Sequence, residues 1–206
     1  LANDPDVQLH ELDAADLMIG RAGNMGASIA IAQGREGFIH PDSRSIPLPG
    51  FLEAYRDAFA VCGTSRGWLF NGPITYLSAD DDLAAMKRRR VAQLVDPHPR
   101  RALPPPGDVR ANEDHRLFLA DSFAVRVREW RLLGGFAPDY RDPAIGDLDL
   151  AMRAEQAGLS MAWVGGAHVL HAPTASSTRG VEDLAVFARR WGHEPPAQEA
   201  VTRTSA

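Results

Sequence analysis

Gly134-Gly135-Phe136, Gly146-Asp147-Leu148-Asp149-Leu150, Trp163-Val164-Gly165-Gly166-Ala167 and Val169-Leu170-His171 follow one another in a single stretch, and this stretch decides how the chain reads. The double glycine stops an apolar helical pattern over 127–133. Turn-forming residues over 137–146 then give way to a second helical pattern over 147–156, which opens on two carboxylates. At a helix start Asp147 can act as an N-cap, and Asp149 lies four residues before Arg153, the spacing of a helical ion pair. The functional alternative is that one carboxylate serves as a general base toward a hydroxyl. Two short strands follow over 160–164 and 167–170, and His171 stands at a strand end. His168 is three residues earlier, so strand alternation sends the two rings to opposite faces and at most one can enter a site.

Upstream, an alternating run predicts a strand over 7–12. Gly20-Arg21-Ala22-Gly23-Asn24-Met25-Gly26 opens a small-residue helix over 27–33. Its glycines either offer backbone N–H groups to a phosphate or allow close packing, and they match neither dinucleotide nor Walker spacing. A short apolar strand over 37–39 ends on His40-Pro41-Asp42. His40 and Asp42, two apart at a strand end, can reach one cation, or they form a surface turn stiffened by Pro41. Apolar residues at three- and four-residue spacing predict a helix over 51–62, ended by Gly63. The segment 67–78 reads as strand, broken at Asn71-Gly72-Pro73.

Asp80-Asp81-Asp82 suits a helix start, with Lys87-Arg88-Arg89-Arg90 in or after that helix. The basic run is either a solvated face or a contact with anionic lipid or a phosphorylated acceptor. Five prolines mark 96–108 as a long functional loop. A mostly apolar strand over 117–127 carries Asp121 and Ser122, and a last amphipathic helix covers 181–191. Alternating strands and helices predict a single α/β domain over 1–192, with a disordered tail over 193–206.

Composition narrows the classes. The 206 residues are 45% hydrophobic and 24% charged, as in ordinary globular domains. A net charge of −5 gives no basic field for nucleic acid. The lone Cys62 excludes an internal disulfide and reads as a small core residue. With no apolar run near the ~20 residues of a bilayer span and no signal-peptide pattern, a cytoplasmic location is the default and peripheral membrane contact stays open.

These motifs, in this order, resemble the C-terminal half of family 2-type glycosyltransferases of the GT-A fold, in a bacterial branch related to galactosyltransferases. Ser122-Phe123-Ala124-Val125-Arg126, then Leu133-Gly134-Gly135-Phe136 and Tyr140, resemble one family segment. Gly146-Asp147-Leu148-Asp149-Leu150 falls on its acidic "GGED-D" motif, and Ala162-Trp163-Val164-Gly165-Gly166-Ala167 with His171 falls on "WVGGA…H". Phe187, Arg190 and Trp191-Gly192 match a trailing "F-RRWG". More weakly, the Asn24 helix and 37–52 resemble the segments leading to the family's Asp-X-Asp strand.

The resemblance implies a mixed central sheet flanked by helices and an inverting, metal-dependent sugar transfer. The donor would be a nucleotide-sugar, and the acceptor hydroxyl would belong to a carbohydrate, a lipid-linked compound or a small molecule. It implies Mn²⁺ or Mg²⁺ held by Asp42, His40 and His171, Asp147 as the base, and Asp149, Gly134, Gly135, Asp121 and Asn24 around the substrate. Three departures stand out: His40 replaces the first Asp of Asp-X-Asp, Gly146 replaces the Glu of the acidic motif, and the family's first two strands have no counterpart. The last implies a fragment of a longer protein. The first two favour a degenerate domain that binds sugar, nucleotide or a partner protein without transfer. A metal-dependent hydrolase built on His40, Asp42, His171 and Asp147 gives the glycine motifs no role.

Overall fold

The structure, a computed structural model, describes residues 19–77, 101–172 and 180–196. The strand over 7–12, the helix at Asp80-Asp81-Asp82, the basic run at 87–90 and the tail beyond 196 lie outside the described residues. The described residues form a mixed α/β architecture around two sheets. The larger contains β1 (Gly37–Pro41), β3 (Trp68–Asn71), β5 (Val109–Asn112), β6 (Ser122–Arg126) and β7 (Ser160–Val164), in the order β1-β6-β3-β7-β5. Only the β3–β7 pair in it is parallel. The smaller contains β2 (Ser45–Pro47), β8 (Val169–His171) and β4 (Ile74–Tyr76), in the order β2-β8-β4.

Strand alternation sorts the core into two layers. Leu69, Phe123, Val125, Met161 and Trp163 face one way. They meet Ala27 of α1 (Ile19–Ala32), Trp130 and Leu133 of α3 (Val127–Leu133), and Leu150, Ala151 and Ala154 of α4 (Pro143–Gln156). The intervening Phe70, Ala124, Ala162 and Val164 face the other way, onto Phe51, Tyr55 and Ala58 of α2 (Phe51–Cys62). The last helix, α5 (Val181–Trp191), buries Phe187 against Tyr140 and Ile145. Cys62 is unpaired and half-buried against the α2 layer.

Three expectations change. The glycines at 20–26 lie inside α1 rather than ahead of it. Gly23 sits against a ring: a Cβ there would come within 2.8 Å of Phe136 Cε2. Close packing is therefore the use of Gly20 and Gly23, while a Cβ on Gly26 would meet nothing within 4 Å. Helix α4 begins four residues earlier than its apolar pattern suggested, because Asp142 accepts from Ala144 N (3.0 Å) and Pro143 fills the first helical position. The strand expected over 117–127 shortens to β6, and Asn71 holds the backbone at its start, donating to Leu119 O ahead of the strand and to Ser122 O at its first residue, at 2.7 Å each. The break at Asn71-Gly72-Pro73 stands as expected, and a Cβ on Gly72 would lie 1.9 Å from Ala167 O.

Candidate metal centre

The two sheets meet where β1 hands the chain to β2. Asp42 N donates to Asp121 O (3.0 Å), extending the β1–β6 ladder one residue past the strand and setting Asp42 opposite Asp121. The Asp42 side chain then closes a turn, its Oδ1 accepting from Arg44 N (2.8 Å) and Arg44 Nε (3.1 Å), while Ser45 N donates to Asp42 O (2.9 Å). Ser45 pairs with His171 across β2–β8, which delivers the imidazole to the same point. Asp42, Asp121 and His171 thus converge, with one ligand atom from each within 4.8 Å of the others.

The spacing has a chemical meaning. His171 Nε2 lies 3.4 Å from Asp121 Oδ1 and 3.6 Å from Asp42 Oδ1. These distances are long for hydrogen bonds. They match the roughly 3.0–3.6 Å edges of a coordination shell with metal–ligand bonds of about 2.0–2.2 Å. His171 is 3% exposed, yet neither ring nitrogen has a hydrogen-bond partner among the described residues. A buried donor or acceptor left unsatisfied is costly, and at Nε2 that cost is met either by a proton facing the two carboxylates or by a cation at the centre of the three groups. The residues fit a divalent cation, and one nitrogen with two carboxylate oxygens suits Mn²⁺ better than a harder, all-oxygen ion.

The protonation pattern agrees. Burial opposes charge on Asp42, but His171 and Arg44 outweigh it and hold its carboxyl well below the usual carboxylate range. Burial likewise opposes charge on His171, but the Asp121 and Asp42 carboxylates outweigh it and raise its pKa to about 9. Without a metal, a proton on His171 stands in for the cation.

Neighbours fix this geometry. Tyr76 pairs with His171 across β4–β8, packs its ring 5.4 Å from the imidazole, and donates to Asp121 Oδ2 (3.1 Å). That bond leaves Asp121 Oδ1 toward the centre. Asp147 is 6% exposed within α4, and its Oδ2 accepts from Ala120 N (2.9 Å), steadying the peptide next to Asp121. Burial, with repulsion from Asp121 and Asp42, pushes the Asp147 carboxyl well above its ordinary pKa. Its place in the second turn excludes the N-cap role, which Asp142 fills.

The other expected site residues are placed elsewhere. His40 does not join the triad. It shares the β1 face of Phe38, stacks on Phe123 with centroids 5.0 Å apart, and directs Nδ1 to Ala120 O (3.2 Å). Burial lowers its pKa. Asp42 diverges from His40 because it has left the strand to close its turn. Asp149 is fully buried and accepts from Arg153, Arg190, Tyr140 and Trp191, so it docks α5 onto α4. Its pairing with Arg153 is the helical ion pair expected from the spacing. Asn24 clasps the Phe136 backbone, accepting from N (2.9 Å) and donating to O (2.8 Å). Gly134 (φ 73°) caps α3, and at Gly135 (φ 76°) a Cβ would meet Asn24 Oδ1 at 2.5 Å. Gly134, Gly135 and Asn24 therefore build one turn. Gly165 receives the proline loop: its N donates to Asp108 O (2.8 Å), and a Cβ would lie 1.9 Å from Pro105 O.

Asp121, expected beside the substrate, lies instead with Asp42 and His171 in the group that could hold a cation. Arg44 and Tyr76 carried no sequence signal of their own. An open cavity of about 560 Å³, lined by Glu113, Asp114, Glu155 and His193 among others, shares no residue with the triad. No helix among the described residues is long and apolar enough to cross a membrane. The chain matches no protein-family model, and no curated protein matches it.

Proposed function

We propose that the Asp42–Asp121–His171 centre holds Mn²⁺ or Mg²⁺ and that the protein is a metal-dependent, inverting glycosyltransferase of GT-A type acting on a nucleotide-sugar. The observation that carries this reading is the buried imidazole, spaced for coordination from two carboxylates and without a hydrogen-bond partner of ordinary length among the described residues. The mixed sheet flanked by helices is compatible with it, as are the motifs at 122–126, 134–136, 146–150 and 162–171. A bound divalent cation would supply charge stabilisation for a leaving diphosphate. Asp42 and Asp121 would bind it as carboxylates and His171 through Nε2. Tyr76 orients Asp121 through its phenol. Asp147 is the carboxyl assigned to take the acceptor proton, at the oxygen not engaged by Ala120 N.

Binding without transfer is the second reading. It is favoured by Gly146, which offers no carboxylate beside Asp147, and by the burial of Asp147 itself. One experiment separates them. The full chain is incubated with a panel of nucleotide-sugars and Mn²⁺, and both donor binding and donor cleavage are followed. Transferase activity predicts slow cleavage that Asp147→Asn abolishes while donor binding is nearly unchanged. Metal-dependent binding with no cleavage of any donor selects the second reading, and absence of both rejects the proposal.

A further inference from the structure

The position of Arg44 extends this reading and rests on it. Arg44 Nε lies 3.1 Å from Asp42 Oδ1, the same oxygen that faces His171 Nε2 at 3.6 Å. A cation bonded to that oxygen at about 2.1 Å would therefore stand no more than about 5 Å from Arg44 Nε. The turn that begins at Asp42 fixes this arrangement, through Arg44 N to Asp42 Oδ1 (2.8 Å) on one side and Ala172 N to Arg44 O (2.9 Å) on the other. The guanidinium is 39% exposed, and its Nη1 and Nη2 groups make no hydrogen bond to a described residue. A planar fork with one edge tied to a carboxylate and the rest open is suited to a second, external anion.

Charge points the same way. With His171 neutral as a ligand, a divalent cation, the two carboxylates and the Arg44 guanidinium leave one net positive charge in the centre. A cation with three protein ligands also keeps coordination positions open. Two positive groups side by side, each with open valences, match a ligand carrying two linked anionic groups.

We propose that Arg44 is the anion-binding arm of this metal centre and that the ligand it helps to hold is a diphosphate, one phosphoryl group on the cation and the other on the Arg44 fork. A dication and a guanidinium this close repel each other, and a bridging diphosphate relieves the repulsion. Cation and diphosphate therefore bind with positive coupling, and Arg44 is its source.

The test uses the full chain, Mn²⁺ and inorganic pyrophosphate in calorimetric titrations of the wild type, Arg44→Ala and Arg44→Lys. For Arg44→Ala we expect Mn²⁺ alone to bind as well as or better than in the wild type. Pyrophosphate affinity at saturating Mn²⁺ should fall about tenfold to a hundredfold, the scale of a lost charge-assisted contact. Arg44→Lys should fall between, keeping the charge but not the fork. Unchanged pyrophosphate affinity in Arg44→Ala overturns the inference, and so does a parallel loss of Mn²⁺ affinity, which would make Arg44 a prop for Asp42. A wild type that binds Mn²⁺ but no pyrophosphate overturns this inference and leaves the metal centre standing. A wild type that binds no Mn²⁺ removes the metal centre and this inference with it.

Discussion

Mn²⁺ binding should strengthen steeply with pH, because the cation has to displace the proton on His171. The free imidazole has a pKa of about 9 between Asp121 and Asp42, so it is protonated throughout the neutral range. Metal coordination requires it neutral. Each unit of pH below 9 should then cost about tenfold in apparent affinity, and Kd should fall about a hundredfold between about pH 6 and about pH 8. Asp42 stays ionised across this window, since His171 and Arg44 hold its carboxyl low, and it adds nothing to the slope. Asp147 adds to it, because cancelling the charges on Asp121 and Asp42 eases its own ionisation.

Calorimetry in buffers of differing ionisation enthalpy counts the protons directly, and at least about one should leave per cation bound near neutrality. A flat affinity over the window, or a proton count of zero, would refute the coordination of His171. The same shift also sets metal-free stability. Raised from 6.5 to about 9, the His171 pKa gives stability that is fully present below 6.5 and lost as pH rises through 9, on the order of 3 kcal/mol.

Further predictions test the surroundings. His168 is held to a pKa of about 4 by burial, so its neutral form gives stability that is present above 6.5 and lost as pH falls toward 4. Together with His171, this predicts a stability maximum of the metal-free protein near neutrality, measurable by urea denaturation across pH. Gly146→Ala should raise stability by about 0.5–1 kcal/mol, because a Cβ there meets only Tyr140 Cβ at an ordinary 3.8 Å; a loss in the same assay would contradict that space. Asp149→Ala should cost about 3–5 kcal/mol, since it strands Arg153 and Arg190 at a buried junction and loosens α5. Protection of the α5 amides in hydrogen exchange should fall with it. Gly165→Ala should destabilise by about 1–3 kcal/mol or more, as its methyl would overlap Pro105 O, and limited proteolysis should then cut within 101–108.

The local grammar of the fold was legible. Apolar spacing and terminal glycines delimited 51–62, 127–133 and 181–191, because in each the helical stripe and the stop signal agree. What the sequence hid was tertiary. The glycines of α1 looked like a phosphate-binding entry because nothing local reveals that Phe136, more than a hundred residues away, fills the space left by Gly20 and Gly23. Asp142-Pro143 is an explicit helix start, but the double carboxylate four residues later competed for the same reading. Asp42 and His171 could be singled out from their places at strand ends. Asp121 could be named but not assigned, since its role depends on a ladder bond to Asp42 and on Tyr76 holding its outer oxygen. His40 misled because spacing along a strand assumes the strand continues, and this one ends in the turn at Asp42.

The central claim is a cation at Asp42, Asp121 and His171, and crystals soaked in Mn²⁺ test it most directly through an anomalous difference map. The predicted result is one dominant peak at about 2.0–2.2 Å from His171 Nε2 and from a carboxylate oxygen of Asp42 and of Asp121. A dominant peak on the acidic cavity of Glu113, Asp114 and Glu155, with none at the triad, would contradict it.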